Sequence, residues 1–132
     1  MTRRILALAA AYLVLSIGYL AGFYLFGHLF APEAGTGRPP VPFFVAFAIS
    51  NVLLVTFFAW VERQMGHAVK AGLTIAISQV LLVNVFYVMT GSRSVIAGAA
   101  STLITLITWS LVALTYGALS NRPNPKGGRV AG

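Results

Sequence analysis

The sequence contains no cysteine and no aspartate, and only two of its 132 residues, Glu33 and Glu62, are acidic. Without cysteine, disulfide bonds, thiolate metal ligands and redox-active thiols are excluded. Paired-carboxylate catalysis needs two acids at one site. These two glutamates lie in connections that join the predicted helices at opposite ends. Phosphate-binding glycine loops and metal-spaced histidines are also missing from the sequence. We therefore expect a protein that is not an enzyme and that has no cofactor.

Charged residues make up only 8% of the chain, whereas hydrophobic residues make up 58% and the mean hydropathy is +0.87. A soluble domain carries roughly 25% charged residues. The apolar residues form four blocks of about 20, the length that crosses ~30 Å of hydrocarbon. The sequence therefore predicts an all-α, polytopic membrane protein. We attribute its net charge of +7 to basic residues that set the orientation in the membrane and contact anionic lipid headgroups. We therefore expect membrane lipids as partners and no nucleic acid.

The four blocks predict transmembrane helices over residues 5–30, 41–61, 71–89 and 95–119, which together form one domain, residues 1–119. The first block is longer than the apolar region of a signal peptide, so it is expected to remain as a helix. Residues 62–70 form a polar connection, and residues 90–94 form a tight turn with Gly91 as the helix breaker. Residues 120–132 are rich in proline and glycine, which predicts a flexible cytoplasmic tail.

Basic residues predict the orientation, because cytoplasmic loops retain lysine and arginine. Placing the N-terminus inside puts seven basic residues on the inner side and two on the outer side. The inner residues are Arg3, Arg4, Arg63, Lys70, Arg122, Lys126 and Arg129, and the outer residues are Arg38 and Arg93. We therefore predict a protein of the cytoplasmic (inner) membrane with both termini in the cytoplasm.

The two halves of the chain resemble each other weakly. Residues 45–50 (VAFAIS) align with residues 96–101 (IAGAAS), and Phe23 and Tyr24 align with Phe86 and Tyr87. This similarity predicts a parallel two-helix repeat, which differs from the inverted repeats of many secondary transporters.

Four residues are predicted to form a polar layer at the middle of the membrane: Gly18, Asn51, Gln79 and Thr105. Amide side chains at this depth stabilise contacts between helices, which favours an interhelical clamp. The alternative interpretation is a polar patch that lines a path for a headgroup or small solute. The clamp is favoured because no ionisable residue lies at that depth, and coupled transporters usually need one.

Two further patterns predict helix packing. Gly18 and Gly22 form a GxxxG motif that allows another helix to approach closely. In the fourth helix, Ser101, Thr105 and Thr108 lie on one stripe that is expected to pack against a neighbour. Asn84 lies five residues after Gln79, so it is expected to point in a different direction and to make a shallower polar contact.

The two histidines and the basic residues offer few ligand sites. His28 and His67 are predicted on opposite sides of the membrane, which excludes a haem held by both. His28 alone could be the axial ligand of a pigment or haem, but an interfacial histidine in contact with solvent is the favoured interpretation. Three basic residues, Arg63, Lys70 and Arg122, are expected to form a cytoplasmic rim for phosphate headgroups. The alternative is a solvated helix end that contributes little.

The sequence resembles the GtrA-like family of small four-helix membrane proteins. The resemblance lies in Arg3-Arg4, the two-helix repeat, residues 62–70, the run 96–102 and the ending Ser120-Asn121-Arg122. Residues 60–63 keep the tryptophan and arginine that the family carries at the end of its second helix, in altered order. This resemblance implies a role with polyprenyl-phosphate-linked sugars in polysaccharide biosynthesis, either translocation of the lipid carrier or anchoring of a glycosyltransferase.

A second hypothesis is a structural accessory subunit of a larger membrane complex. Four helices joined by short connections form a thin bundle that exposes much of its surface to lipid. Association is therefore expected, either as a homo-oligomer or within a larger complex. In this hypothesis the midplane amides serve only to hold the helices together.

Overall fold

A computed structural model describes residues 1–29 and 42–120 of the chain. These residues form four long helices and contain no β-strand. Helix α1 is Thr2–Phe26 and continues as a 3-10 turn, Gly27–Leu29; α2 is Phe43–Met65; α3 is Ala68–Met89; and α4 is Val95–Ser120. All four are long and apolar enough to cross a membrane. The predicted all-α architecture with four helices is confirmed.

The connection between α2 and α3 is shorter than predicted. Helix α2 ends at Met65 and α3 begins at Ala68, so only Gly66 and His67 lie between them. Gly66 has a φ of 68°, and its N–H donates to the carbonyl of Glu62 at 2.8 Å, which ends α2 in a left-handed cap. The prediction of a polar connection over residues 62–70 was wrong, because polar side chains at a helix end can reach water while their backbone stays helical.

The turn between α3 and α4 follows the predicted residues 90–94. Gly91 has a φ of 74°, a conformation that favours glycine. The Ser94 side chain accepts a hydrogen bond from the N–H of Ala97 at 3.1 Å and so caps the start of α4. The predicted first loop and nearly all of the predicted tail, residues 30–41 and 121–132, lie outside the described residues.

The helices form an antiparallel bundle in which each helix contacts its neighbours in chain order and α4 closes against α1. Gly18 lies opposite Thr108 and Gly22 lies opposite Ile104, so the numbering of α1 and α4 runs in opposite directions. Thr2 and Ser120 consequently lie at the same end of the bundle, which we call the termini end. The turn between α3 and α4 lies at the far end.

The centre of the bundle combines small residues with a few large aromatic rings. The small ones are Ala7, Ala11, Ala71, Ala76 and Ala113, all buried. Phe58 of α2 contacts two aromatic residues of α4, with its ring centroid 5.9 Å from that of Trp109 and 5.2 Å from that of Tyr116. Small residues let helix backbones approach closely, which is how helices in lipid gain contact energy.

The surface of the bundle is apolar, whereas several polar side chains lie inside it. Large hydrophobic residues are exposed on every helix, among them Leu13, Ile17, Leu53, Leu82, Ile107 and Leu114. The buried polar residues are Asn51, Asn84, Thr105 and Thr108. This distribution is the reverse of that in a soluble domain, and it suits a bundle surrounded by hydrocarbon.

Candidate functional site

Two glycines of α1 let α4 approach closely. A Cβ atom on Gly18 would lie 2.6 Å from Cγ2 of Thr108, and one on Gly22 would lie 2.6 Å from Cγ2 of Ile104. Both distances are too short for a real contact, so neither position has room for a side chain as the helices stand. The structure thus brings together three residues that the sequence singled out for packing, Gly18, Gly22 and Thr108.

A central network joins three helices at the middle of the bundle. The Oε1 atom of Gln79 in α3 accepts hydrogen bonds from the Tyr19 hydroxyl of α1 and from Nε1 of Trp109 in α4, each at 3.0 Å. Nε1 of Trp109 also lies 3.2 Å from the Tyr19 oxygen. A buried indole N–H needs an acceptor, and here the amide carbonyl and the phenol oxygen share it.

The other end of the Gln79 amide remains open. Its Nε2 group makes no hydrogen bond to any residue in the described ranges, 1–29 and 42–120. Within the same residues, every buried side-chain nitrogen or oxygen has a hydrogen-bond partner. Nε2 is therefore at least partly accessible at the surface of the bundle, consistent with the partial exposure of Gln79. In hydrocarbon, such a donor is costly unless a polar group meets it.

Asn51 of α2 makes a separate contact with α1. Its side chain is only 2% exposed, and Nδ2 donates to Oγ of Ser16 at 3.0 Å. Ser16 and Tyr19 are three residues apart on α1, so they lie on neighbouring turns of one face. The two midplane amides therefore contact the same face of α1, one from α2 and one from α3.

The residues of the predicted midplane layer do not bond directly to one another. Gly18 contacts Thr108, and the Thr105 hydroxyl donates to the Ser101 carbonyl of its own helix at 2.8 Å. Asn51 and Gln79 do bond to other helices, but neither bonds to the other or to Thr105.

A second network lies nearer the far end and is centred on Asn84, which is 5% exposed. Its Oδ1 accepts from Nη1 of Arg93 and from the Ser101 hydroxyl, both at 2.9 Å, and its Nδ2 donates to Oγ1 of Thr102 at 3.3 Å. The Arg93 guanidinium also lies 5.3 Å from the centre of the Tyr87 ring. These contacts join the last turns of α3 to the first turns of α4.

The direction predicted for Asn84 was wrong. Gln79 and Asn84 both bond to α4, although residues five apart in a regular α-helix point in different directions. The reason is a π-helical segment, Val80–Val85, which lies between the two residues and takes up one additional residue.

Five residues that bond to these amides were not predicted as site residues: Ser16, Tyr19, Arg93, Thr102 and Trp109. Trp109 carried a usable signal, because tryptophan in membrane proteins concentrates at the interfaces and this one lies in the middle of a span. Tyr19 carried a similar signal, since it follows Gly18 directly and its hydroxyl needs a partner at that depth.

The predicted cytoplasmic rim is described only in part. Arg63 and Lys70 are exposed at the termini end, and Nε of Arg63 donates to the Ala59 carbonyl at 3.4 Å. Arg122 lies outside the described residues. His28 is exposed in the 3-10 turn after α1, and the described ranges contain no cluster of three histidine or acidic residues that could hold a metal ion.

No protein-family model, curated protein or solved structure matches this chain. The similarity to GtrA-like proteins stays a prediction from the sequence. Function is accordingly inferred from the polar networks and from the surface of the bundle.

Proposed function

We propose that the chain is an integral protein of the cytoplasmic membrane with both termini in the cytoplasm. Four of its basic residues lie at or near the termini end: Arg3, Arg4, Arg63 and Lys70. Arg93 is the basic residue of the described ranges that lies at the far end. An excess of basic residues on one side is typical of cytoplasmic ends.

Aromatic contacts at both ends of the bundle support a position across the membrane. The rings of Phe57 and Trp60 stack at 5.9 Å toward the termini end. At the far end, Phe43 contacts Phe23 at 6.4 Å, and Phe86 contacts Tyr87 at 6.0 Å. Aromatic belts of this kind mark the two membrane interfaces.

The proposed two-helix repeat gains support from one contact. The alignment of residues 45–50 with residues 96–101 also pairs Phe58 with Trp109. These two rings meet at the centre of the bundle, 5.9 Å apart. Contact between equivalent positions is expected where a two-fold axis passes between two repeated units.

The proposed activity is assistance to the translocation of a polyprenyl-phosphate-linked sugar. The observation that carries this proposal is the open Nε2 group of Gln79, a hydrogen-bond donor at the surface of a largely apolar bundle. The exposed hydroxyls of Thr56, Thr74 and Ser78, in contrast, donate to carbonyls of their own helices. A sugar hydroxyl that crosses the membrane needs such a partner. Arg63 and Lys70, both exposed, would attract the phosphate at the cytoplasmic surface.

The proposal is tested in liposomes that contain the purified protein and a fluorescent polyprenyl-phosphate hexose in both leaflets. Quenching from outside measures exchange between the leaflets. We expect the wild-type chain to accelerate exchange and the double variant Asn51→Leu/Gln79→Leu to slow it strongly. An unchanged rate in a folded double variant would contradict a polar pathway.

Tyr19→Phe provides the matched control for this experiment. This variant removes the tyrosine hydroxyl from the central network but leaves Nε2 of Gln79 open. We expect it to keep most of the exchange rate. A loss as large as that of the double variant would indicate that the network acts by holding the helices together.

Anchoring of a glycosyltransferase is the other form of this proposal. It is supported by the large apolar surface of the bundle, which membrane helices of an enzyme could cover. If anchoring is the role, liposomes should show no exchange, whereas a glycosyltransferase should co-purify with the chain in mild detergent.

A structural accessory subunit is the second candidate function. The observation that favours it is Asn51, which is 98% buried and already bonded to Ser16, as expected for an interhelical clamp. Purification in native detergent tests this hypothesis. Stable co-purification with large subunits of another complex would favour it, and a discrete particle containing only this chain would oppose it.

A further inference from the structure

Helix α3 changes its helical type partway along its length. Ala68–Gln79 is α-helical, Val80–Val85 is π-helical, and Phe86–Met89 is α-helical again. A π turn closes its hydrogen bonds over five residues instead of four, so it absorbs one residue relative to an α-helix. Such turns in α-helices are frequently found at functional sites.

The residues of α3 that face α4 shift by one position at this turn. Gly72 lies against Ala113, Gln79 bonds to Trp109, Asn84 bonds to Thr102, and Val88 lies against Gly98. The α3 positions are separated by seven, five and four residues, whereas the α4 positions are separated by four, seven and four. In a regular α-helix, residues four or seven apart lie on nearly the same face. Only the interval of five residues from Gln79 to Asn84 does not fit a regular α-helix.

The angle between these two residues shows what the π turn does. At about 100° per residue, positions five apart in an α-helix point about 140° away from each other. Absorbing one residue reduces that difference to about 40°, the value for positions four apart. The π turn is therefore what lets Gln79 and Asn84 bond to α4 at the same time.

We propose that the far half of α3, residues 80–89, is a two-register element and that the Asn84 network is its latch. The register with the π turn holds Asn84 against Ser101 and Thr102. In the alternative register the whole helix is α-helical, and the segment after the turn is rotated by about 100°. Val83 and Tyr87 then occupy the α4-facing positions, and the Asn84 amide turns toward the lipid-facing side of α3.

The contacts of both registers make the exchange feasible. Val83 is apolar and can replace Asn84 against α4. Tyr87 would approach Gly98, which has no side chain of its own and so leaves room for a larger one. The cost of the exchange is the loss of the hydrogen bonds of Asn84, including the one from Arg93, together with the exposure of its amide to lipid. The α register is therefore expected to be the less populated of the two. Shifts of one helical element past another are a known form of conformational switch.

Disulfide formation distinguishes the two registers directly, because the chain has no cysteine of its own. A Cβ on Gly98 would lie 3.9 Å from Cβ of Val88, which is within the range for a disulfide. The pair Val88→Cys/Gly98→Cys therefore reports the π register, and Tyr87→Cys/Gly98→Cys reports the α register. Met89→Cys/Gly98→Cys is the control, since Met89 is 81% exposed and faces α4 in neither register. The 87/98 pair and the control pair both carry Val88→Ala, because a Cβ on Gly98 would otherwise lie 2.5 Å from Cγ2 of Val88 and would itself disturb the π register.

The experiment measures the rate of intramolecular disulfide formation in detergent with copper phenanthroline and no added ligand. We expect the 88/98 pair to form fastest and the 87/98 pair to form slowly but above the 89/98 control. Adding Asn84→Leu should raise the 87/98 rate roughly tenfold. This corresponds to a decrease of about 1.4 kcal/mol in the free-energy difference between the two registers. An 87/98 rate that Asn84→Leu leaves unchanged would overturn the proposal.

Deletion of Leu82 provides a second test that keeps every latch residue. Leu82 is 75% exposed, and removing it leaves Gln79 and Asn84 four residues apart, so a plain α-helix satisfies both networks. We expect the deletion to lower the 87/98 rate to that of the control while the 88/98 pair still forms. If the 87/98 rate stays at the wild-type value, α3 has no second register. This test remains decisive even if Asn84→Leu does not fold, and it does not depend on any transported lipid.

Discussion

Trp109 and Gln79 are joined by a hydrogen bond of 3.0 Å between the indole Nε1 and the amide Oε1 at the centre of the bundle. Trp109 is fully buried, whereas Gln79 is partly exposed. One end of the glutamine amide therefore holds α4 and α3 together, and the other end reaches the surface. In the proposed function, the same side chain serves as a clamp and as a polar contact for a lipid-borne group.

The Tyr19 hydroxyl contributes to this clamp through its contacts with both Gln79 and Trp109. We expect Tyr19→Phe to lower the free energy of unfolding by about 0.6 to 1.7 kcal/mol, the range for interhelical hydrogen bonds in lipid. Unfolding by SDS in mixed micelles measures the change. Tyr24→Phe is the matched control, because Tyr24 lies on the same helix and is 88% exposed. Equal losses in both variants would contradict the role of the hydroxyl.

Close packing of α3 against α4 depends on Gly72. A Cβ at this position would lie 2.6 Å from Cβ of Ala113 and 3.0 Å from the backbone oxygen of Trp109, and neither atom can rotate away. We expect Gly72→Ala to destabilise the bundle by about 1 to 3 kcal/mol, as overpacking does.

Gly117→Ala is the control for that prediction. Its Cβ would lie 3.5 Å from Cβ of Ala68, an ordinary contact, and it makes the same chemical change within a helix. Thermal unfolding in one detergent compares the two variants. A Gly72→Ala protein as stable as Gly117→Ala would show that the two helices can separate without cost.

The two tryptophans should differ in their contact with lipid. Trp60 is 54% exposed and Trp109 is 0% exposed. In liposomes with brominated acyl chains, Trp109→Phe, which leaves Trp60 as the fluorophore, should be strongly quenched. Trp60→Phe, which leaves Trp109, should be quenched only weakly. Similar quenching of both would contradict the arrangement in which α4 is enclosed at Trp109 by the other helices.

Ser16 and Asn51 should be energetically coupled, because the hydrogen bond between them, at 3.0 Å, joins α1 to α2. A double-mutant cycle of Ser16→Ala and Asn51→Leu is expected to give an interaction energy of about 0.6 kcal/mol. SDS unfolding of the four proteins measures it. Additive losses would mean that this bond contributes nothing to the bundle in detergent.

Much of the fold could be predicted from the sequence, because the length and hydropathy of a membrane helix are local properties. Four apolar blocks predicted four helices, and all four are present in the described residues. The helix ends were less predictable. Glu62 and Arg63 looked like part of a connection but belong to α2, because Gly66 rather than the first charged residue ends the helix.

The sequence also determined that Asn51 and Gln79 would need partners, since an amide in hydrocarbon must be satisfied. It did not determine which partners, because they come from other helices. Tyr19 and Trp109 meet at Gln79 where the glycines of α1 allow α4 to approach, and Ser16 meets Asn51 where α1 packs against α2. The direction of Asn84 was decided by tertiary structure alone. In a regular α-helix Asn84 would point away from α4. The π turn before it rotates it toward α4, where it bonds to Ser101, and the sequence of α3 alone does not predict that turn.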